Sequence, residues 1–366
     1  MKGLSRSLIA VVGAAVVAVG LAACGSSSKS GTSSDVTKLR LGYVTTPQHP
    51  YGLAVDAFKK QVETASGGKL VIENTPNYTG GDVQLFNDVK DGTIEMGAIS
   101  TAIWDTQGSN VFQALQAPFL ITNYGLAQTV EGGPIGAAML TSANGPAKFG
   151  MVGLGILEGG LRKPLGRTVA LVSPATFKGK KIRAPQSKVL AATITALGAQ
   201  PVALPVGDVY TALQNGTVDG MEANLGLIAT NKYYEVAKFV TADVNLWPFP
   251  AAVVINKAQF DKLTSEQQGW LTAAGKQLFP KTAIDAFVNP PPTAPNFTKV
   301  LCDAGLTFAF AGDANRAALA TAAQPALTQL SADPEVAGYI KQIQAAKAAA
   351  PPPPAPPPLP AGCKKA

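Results

Sequence analysis

Two arginines are the residues of this sequence best suited to bind a small charged molecule. Arg183 ends a short strand pattern, and Arg162 follows Gly159 and Gly160, where the lack of side chains lets backbone and ligand approach closely. A guanidinium can bind a carboxylate through two parallel hydrogen bonds, which a lysine cannot imitate. The residues alone leave two interpretations open for each arginine: contact with a ligand, or pairing with a nearby acid at the surface.

The remaining chemistry argues against an enzyme. The sequence has one histidine and three cysteines, and it contains no nucleophile elbow, zinc-protease, Walker or Cys-x-x-Cys motif. General acid–base catalysis most often uses histidine, whereas a lone loop histidine such as His49 is more often a surface hydrogen-bonding group. Glu95 and Glu222 belong to different predicted lobes, so they indicate no carboxylate dyad. We expect no catalytic residue, metal or cofactor.

Length and composition favour a two-lobed globular protein. The chain has 366 residues, of which 46% are hydrophobic and 14% charged, enough apolar surface for a packed core. Its formal charge is +7, but four basic residues lie in the leader and the tail, which leaves +3 (7 minus 4) for the core. A weakly basic core of this kind does not indicate nucleic-acid binding.

Residues 38–100 alternate between strand and helix patterns. Strand patterns around Leu41, Ile72 and Met96 are separated by helix patterns that end in glycine. This alternation predicts a parallel sheet, in which ligands bind beyond the carboxyl ends of the strands. Ser100 and Thr101 follow the third strand at such an end and are predicted to offer hydroxyl groups to a ligand.

A second α/β unit follows from Ile182 to Gly216 and resembles the first. Both units end a helix in Gly-Thr, followed by a β-branched residue and an acid that enter a strand, at 91–96 and 215–220. Two matched lobes suit a protein that closes on a ligand. After residue 256 the sequence is mostly helical, notably from Ser265 to Phe287, before a run of three prolines.

The N-terminal residues predict export and lipid anchoring. The apolar run Leu8–Ala23 is shorter than the ~20 residues that span a membrane, and it ends in Leu-Ala-Ala before Cys24. This ending resembles a bacterial lipobox, in which the cysteine carries the lipid. We therefore predict a lipoprotein signal peptide at 1–23 and a Gly/Ser tether at 24–37. An ordinary signal peptide with a chance cysteine is the alternative.

The C-terminal residues 346–366 form a proline-rich tail. Its proline run favours an extended polyproline II spacer and cannot join a core, although it could instead dock in a partner's aromatic groove. Cys363 lies in this tail, and Cys302 lies in an apolar stretch of the preceding region. In an oxidising compartment these two cysteines could pair or remain free.

A series of motifs covers roughly residues 38–290 in order. The motifs lie at 66–69, 91–95, 118–120, 177–185, 197–202, 209–216, 218–220, 231–236 and 254–257. Together they resemble the substrate-binding subunits of TRAP transporters of the DctP type.

The resemblance implies an α/β, two-lobed periplasmic-binding-protein-like fold of class II type, with hinge strands and a long C-terminal helix. It implies a lobe I of 38–160 plus about 249–288 and a lobe II of 161–248 plus about 289–345. Such proteins close on a small organic acid, act as monomers, and deliver the acid to membrane permease subunits, typically with a sodium gradient. The expected place of work is the outer face of the cell membrane, with Cys24 as the lipid anchor.

The resemblance also implies ligand-binding residues. Arg183 occupies the position of the family's principal arginine, and Arg162 that of a supporting one. The family's Asp-Gly-x-Glu-Asn stretch is altered here: the asparagine position is Ala223, Asn224 comes one residue later, and Glu222 precedes it. We include Glu222 and Asn224 among the ligand-binding candidates.

Trp247 is a further candidate at a second departure from the family. The Asn-His pair often found in this region is Asn245-Leu246 here, and the indole of Trp247 follows. Its ring either packs the hinge or lines the cleft, and the apolar residues that follow favour packing.

Other functions remain open on the sequence alone. The same fold could serve a different importer or a sensor kinase. A secreted enzyme is a more distant alternative, since no nucleophile–base pair is evident. A cell-envelope scaffold that acts through its proline-rich tail is the third.

Overall fold

The computed structural model describes residues 36–278, 296–351 and 358–366. The predicted signal peptide, Cys24 and nearly all of the tether lie outside these ranges. So do the predicted end of the long helix at Phe287, the three prolines that follow, and residues 352–357 of the tail. None of the helices in the described part of the chain has the length and apolar character that crossing a membrane requires.

The strands and helices of the described residues follow one another through the whole chain. The strands are β1 Thr37–Tyr43, β2 Leu70–Thr75, β3 Met96–Ser100, β4 Met151–Glu158, β5 Lys163–Gly166, β6 Lys181–Ala184, β7 Gln200–Ala203, β8 Gly220–Ala223, β9 Phe239–Thr241, β10 Pro250–Asn256, β11 Thr307–Ala309 and β12 Lys364–Lys365. The α-helices are α1 Pro50–Ala65, α2 Gly81–Lys90, α3 Tyr124–Glu131, α4 Pro134–Thr141, α5 Pro174–Phe177, α6 Lys188–Ala196, α7 Val209–Gln214, α8 Leu225–Thr230, α9 Lys257–Asp261, α10 Ser265–Leu278, α11 Phe297–Asp303, α12 Gly312–Ala322, α13 Gln324–Leu330 and α14 Pro334–Ala349.

The first sheet has the strand order β2–β1–β3–β10–β4. β1 is parallel to both β2 and β3, as the alternation of strand and helix patterns predicts. β10 is antiparallel to β3 and β4 because it enters this sheet when the chain returns from the second sheet. The sheet is therefore mixed, and the prediction of a parallel sheet is correct only for its first three strands.

The second sheet has the order β12–β11–β9–β5–β8–β6–β7. β6 is parallel to β7 and β8, which matches the predicted second α/β unit. β5 is antiparallel to β8 and β9, so this sheet is mixed as well. The strand order places β6 and β8 side by side, and residues of both reach the candidate site.

Two of the connections between the sheets, from β4 to β5 and from β9 to β10, meet each other. They hydrogen-bond to each other where they cross. The Leu246 N–H donates to the Arg162 carbonyl, and the Arg162 N–H donates to the Trp247 carbonyl, both at 2.8 Å. Arg162 is thus held by its backbone at the point where the chain passes between the sheets.

α14 packs on the side of the first sheet, although the predicted lobe II includes most of its residues. Its buried residues Val336, Ile340 and Ile343 join the apolar cluster of Phe112 and Leu115. The Nζ of Lys347 donates to two backbone carbonyls, those of residues 119 and 120, at 2.9 Å each. The lobe boundaries remain a prediction, but this helix belongs with the first sheet by its contacts.

The end of the proline-rich tail returns to the second sheet. Cys302 in α11 and Cys363 form a disulfide, with Cα atoms 4.7 Å apart. β12 pairs in parallel with β11, and Leu359 packs against the apolar cluster of this half. Residues 358–366 are therefore attached to the sheet, through the cysteine pairing that the sequence analysis left open.

Candidate functional site

Arg162 is fully buried between the two sheets. Its Nε donates to the Oε2 of Glu222 in β8, and its Nη2 donates to the Glu222 carbonyl at 2.7 Å. The guanidinium also lies over the ring of Phe249, 4.3 Å from the ring centroid, in a cation–π contact. Arg162 thus pairs with an acid, as the second interpretation expects, but it does so in the interior and not at the surface.

Glycines before Arg162 allow this placement. A Cβ on Gly159 would collide with the ring of Tyr51, so only glycine fits there. Gly160 has φ of 112°, a backbone conformation that other residues rarely adopt. The group that lies close to Gly159 is thus a tyrosine of the protein itself, and the predicted close approach of a ligand stays a prediction.

Arg183 in β6 is also buried, with 3% of its surface exposed. Its Nε and Nη2 both donate to the Leu204 carbonyl, at 3.0 and 2.7 Å. Its Nη1 lies 4.0 Å from the Oε1 of Glu222. Burial lowers the pKa of Arg183, and the nearby Glu222 carboxylate opposes that shift. The two arginines thus converge on a single carboxylate.

His49 lies in the interior rather than at the surface. It is the N-cap of α1, where its Nδ1 accepts a hydrogen bond from the Tyr51 N–H at 3.1 Å. Burial and the charge of Arg162 lower the pKa of His49 to about 3, and a side-chain hydrogen bond with Asn224 opposes that shift. The expectation of a surface group fails because residues distant in the sequence cover this loop.

Asn224 lies close to His49, whereas Ala223 does not. Ala223 is part of the apolar core of the second half. The Oδ1 of Asn224 caps α8 by accepting from the Leu227 N–H at 2.7 Å. We call Arg162, Arg183, Glu222, His49 and Asn224 the arginine cluster.

Ser100 and Thr101 lie at the carboxyl end of β3, as predicted, and both are buried. The hydroxyl of Thr101 donates to the Pro250 carbonyl at 3.0 Å and accepts from Gln116. The Oγ of Ser100 accepts from the N–H of the second residue after it at 3.3 Å. The Thr101 hydroxyl is thus engaged within the protein, and Ser100 keeps its donor capacity.

Asp82 is a site residue that the sequence analysis missed. Its Oδ1 accepts from the Ser100 N–H at 2.8 Å. Burial raises the pKa of Asp82 to about 6, while that hydrogen bond and the charges of Arg183 and Arg162 oppose the shift. The signal was available, because Asp82 lies in the first turn of a helix within the first α/β unit.

Trp247 is fully buried in an apolar cluster with Leu246 and Ile182. Its Nε1 has no hydrogen-bond partner within the described ranges. The structure therefore places the ring among apolar residues, and a contact of the indole with a ligand stays a prediction.

A second buried group of charges lies next to Arg162. Glu158 ends β4 and accepts backbone hydrogen bonds from Gly160 and Phe249, and Glu131 at the end of α3 interacts with it. Burial raises the pKa of both carboxyl groups, and Glu158 raises that of Glu131 further. We call Glu131 and Glu158 the carboxyl pair. The sequence analysis did not identify it, since its members lie on separate elements.

Comparison with known proteins identifies the family. The profile of the DctP family, described as "Bacterial extracellular solute-binding protein, family 7", matches residues 41–332. The chain belongs to this family. It is 30% identical over 271 residues to the 2,3-diketo-L-gulonate-binding periplasmic protein YiaO of Escherichia coli, with 72% of this chain and 77% of YiaO covered.

Solved structures share the fold. A TRAP periplasmic solute-binding protein from a Bradyrhizobium species, in complex with α/β-D-galacturonate, is 28% identical with a TM-score of 0.77, covering 84% of this chain and 99% of that one. The sugar acid-binding protein DctPAm of Advenella mimigardefordensis, in complex with galactonate, is 26% identical with a TM-score of 0.77, covering 86% and 100%. The predicted family and α/β fold class are therefore confirmed. The family and these neighbours are extracytoplasmic receptors, which also confirms a binding protein rather than an enzyme.

Proposed function

We propose that this chain binds a small organic acid between its two sheets and delivers it to the permease subunits of a TRAP transporter. Arg183 and Arg162 would hold the carboxylate. The observation that carries this proposal is the convergence of two buried guanidinium groups on one carboxylate, Glu222. An unbalanced buried charge costs several kcal/mol unless a counter-charge accompanies it, and a ligand carboxylate is such a counter-charge.

The arginine cluster and the nearby Ser100 draw residues from both halves, which supports closure on the ligand. His49 and Ser100 come from elements of the first sheet, whereas Arg183 and Asn224 come from those of the second. A ligand that contacts both sets only when they are close together stabilises the closed arrangement. Known relatives fit this proposal, since YiaO is named for a diketo-gulonate and DctPAm is solved with galactonate.

Calorimetry on the full chain tests the role of Arg183. Arg183→Ala should weaken the binding of an organic acid by about 2–5 kcal/mol, because it removes one partner of a buried charge pair. Arg40→Ala is the matched control, since Arg40 in β1 has a half-exposed side chain that forms an ion pair with Glu95 and not with a residue of the cluster. Unchanged acid affinity in Arg183→Ala would remove this arginine from the site.

The proposed location is the outer face of the cell membrane, where a monomer is anchored through a lipid on Cys24. Several acyl chains at one terminus hold a protein firmly, whereas one chain alone does so marginally. After expression in a bacterial host with a labelled fatty acid, the protein should carry the label and be found in the membrane fraction. Cys24→Ser should remove the label and release the protein. A labelled acid taken up only when the permease subunits are present would test delivery.

A further inference from the structure

Asp105 is a buried acid that the proposed function does not use. It ends the short 3₁₀ helix Thr101–Asp105, which follows β3 of the first sheet, and only 2% of its surface is exposed. Its Oδ2 accepts hydrogen bonds from the Oγ of Ser187 at 3.0 Å and from the N–H of Val189 at 3.1 Å. Both donors lie at the start of α6, which connects β6 to β7 in the second sheet. We call these two hydrogen bonds the Asp105 cap, and they join the two halves of the molecule.

The N-terminus of α6 needs such an acceptor. The first N–H groups of an α-helix have no carbonyl partner within the helix, and the helix dipole favours a negative charge there. The Oγ of Ser187 accepts from the Leu190 N–H at 3.3 Å, which leaves the Val189 N–H to Asp105. Burial raises the pKa of Asp105, whereas hydrogen bonds from the first residues of α6 and the charge of Lys188 oppose that shift. The helix end thus favours the ionised carboxylate.

Apolar contacts accompany the Asp105 cap and also cross between the halves. Ala102, in the same 3₁₀ helix as Asp105, packs in a cluster with Leu190 and Ile194 of α6. In the other direction, Val189 joins the apolar cluster beside the first sheet. The carboxylate is therefore shielded from water where the halves touch, which strengthens its hydrogen bonds.

The Asp105 cap lies close in sequence to the proposed acid site in both halves. Ser187 comes four residues after Arg183 of β6. Asp105 comes five residues after Ser100, which ends β3. The segments that follow these two candidate ligand groups thus contact each other. A movement that brings Ser100 and Arg183 onto one ligand also brings Asp105 onto α6.

We propose that Asp105 is a positioning residue that holds the two halves in the closed arrangement and so increases acid affinity without touching the ligand. This inference rests on the proposed function and deepens it, because it names a contact that keeps the halves together around the acid. When the halves separate, water hydrates the carboxylate and the Val189 N–H loses its partner. The acid then leaves only after the Asp105 cap has broken.

Stopped-flow binding measurements on the intact protein test this role, with D-galacturonate and succinate as the probe acids. Asp105→Ala should raise the dissociation rate constant and the dissociation constant of either acid about tenfold, the effect of one lost capping interaction. The association rate constant should change by less than about threefold, because the acid enters the open arrangement, in which the Asp105 cap is absent. Asp105→Asn keeps an oxygen acceptor and should show a smaller effect.

Asp208→Ala is the matched control. Asp208 also precedes a helix of the second half, α7, but its side chain makes no capping hydrogen bond within the described residues. Both rate constants should therefore stay unchanged in Asp208→Ala. An unchanged dissociation rate in Asp105→Ala would overturn the inference. An effect on one bound acid and not on the other would also overturn it, because Asp105 would then contact the ligand.

Amide hydrogen exchange, followed by NMR, tests the Asp105 cap without any ligand. Leu190 is the internal reference, because its N–H is held by Ser187 at the start of α6 itself. In the unliganded protein the Val189 amide should be at least about tenfold less protected than the Leu190 amide, since the Asp105 cap breaks whenever the halves separate. Equal protection of the two amides would show a permanent structural cap and contradict the inference.

Two further readouts separate this inference from the proposed function. Unchanged acid affinity in Arg183→Ala contradicts the proposed function and not the role of Asp105. If neither probe acid binds, or if the melting temperature shows that Asp105→Ala does not fold, the exchange of Val189 in the unmodified protein decides the inference. A lower melting temperature of unliganded Asp105→Ala with an unchanged dissociation rate would assign Asp105 to stability alone.

Discussion

The arginine cluster and the carboxyl pair are both buried, yet they solve the problem of interior charge in different ways. In the arginine cluster the carboxylate of Glu222 forms an ion pair with Arg162. Within the described residues neither member of the carboxyl pair forms an ion pair, and burial raises the pKa of both, which favours their protonated forms. A base in contact with a buried acid favours the charged form of that acid, whereas burial without such a base favours the neutral form.

The same substitution should have opposite effects in the two places. Glu222→Gln removes the acid of a buried ion pair and leaves the charge of Arg162 uncompensated. We expect the free energy of unfolding to fall by about 3–5 kcal/mol, as measured by denaturant titration at pH 7. A stable Glu222→Gln variant would show that Arg162 does not need this partner.

Glu131→Gln should instead stabilise the protein at high pH. Because the folded pKa of Glu131 lies above the ordinary value of 4.5, the folded state binds more protons than the unfolded state as the pH rises past 4.5. Stability is thus lost with rising pH, by up to about 1.4 kcal/mol per pH unit for one proton. From pH 5 to 9, the denaturant concentration at the unfolding midpoint should fall less with rising pH in Glu131→Gln than in the unmodified protein. The same pH dependence in both proteins would contradict the raised pKa of Glu131.

His49 should make the stability of the protein change with pH in the opposite direction, at pH values below 6.5. Its folded pKa is about 3 and its ordinary value is 6.5, so the unfolded state binds more protons between these values. Stability is fully present above pH 6.5 and is lost as the pH falls towards 3, by up to about 1.4 kcal/mol per pH unit. The melting temperature of His49→Asn should therefore fall less than that of the unmodified protein as the pH is lowered over this range. An equal fall in both proteins would assign the acid sensitivity to other groups.

Trp247→Phe should have the smallest effect on the site. Because the ring packs among apolar residues, we expect a cost in stability of about 1–2 kcal/mol, with an acid affinity within about twofold of the unmodified protein. Calorimetry and thermal melts on the same sample measure both. A tenfold loss of affinity would instead place the indole against the ligand.

Local patterns were sufficient to predict the parallel strands and the arginines. The period-2 and period-3.6 patterns of residues 38–100 correspond to β1, α1, β2, α2 and β3, and Ser100 ends β3 as expected. Arg183 was identified by its residue type and its position at the end of a strand. Such features depend on neighbours within a few residues, which a sequence shows directly.

Pairings between distant segments could not be predicted in the same way. The contact of Arg162 with Glu222 depends on the antiparallel pairing of β5 with β8, and no local pattern specifies that order. The burial of His49 likewise depends on residues near position 224. The disulfide was one of two open alternatives, because only the folded chain shows that Cys302 and Cys363 are close enough to bond.

The position of α14 means that the two halves cannot be separated by cutting the chain once. This helix completes an apolar cluster beside the first sheet, but α11 before it and Cys363 after it belong to the second half and are linked by the disulfide. A fragment that ends at residue 278 would leave Phe112 and Leu115 without this cover, whereas a fragment that contains only the second half would carry the helix with nothing to pack against. The receptor is thus indivisible as a folding unit, even though its strands form two separate sheets.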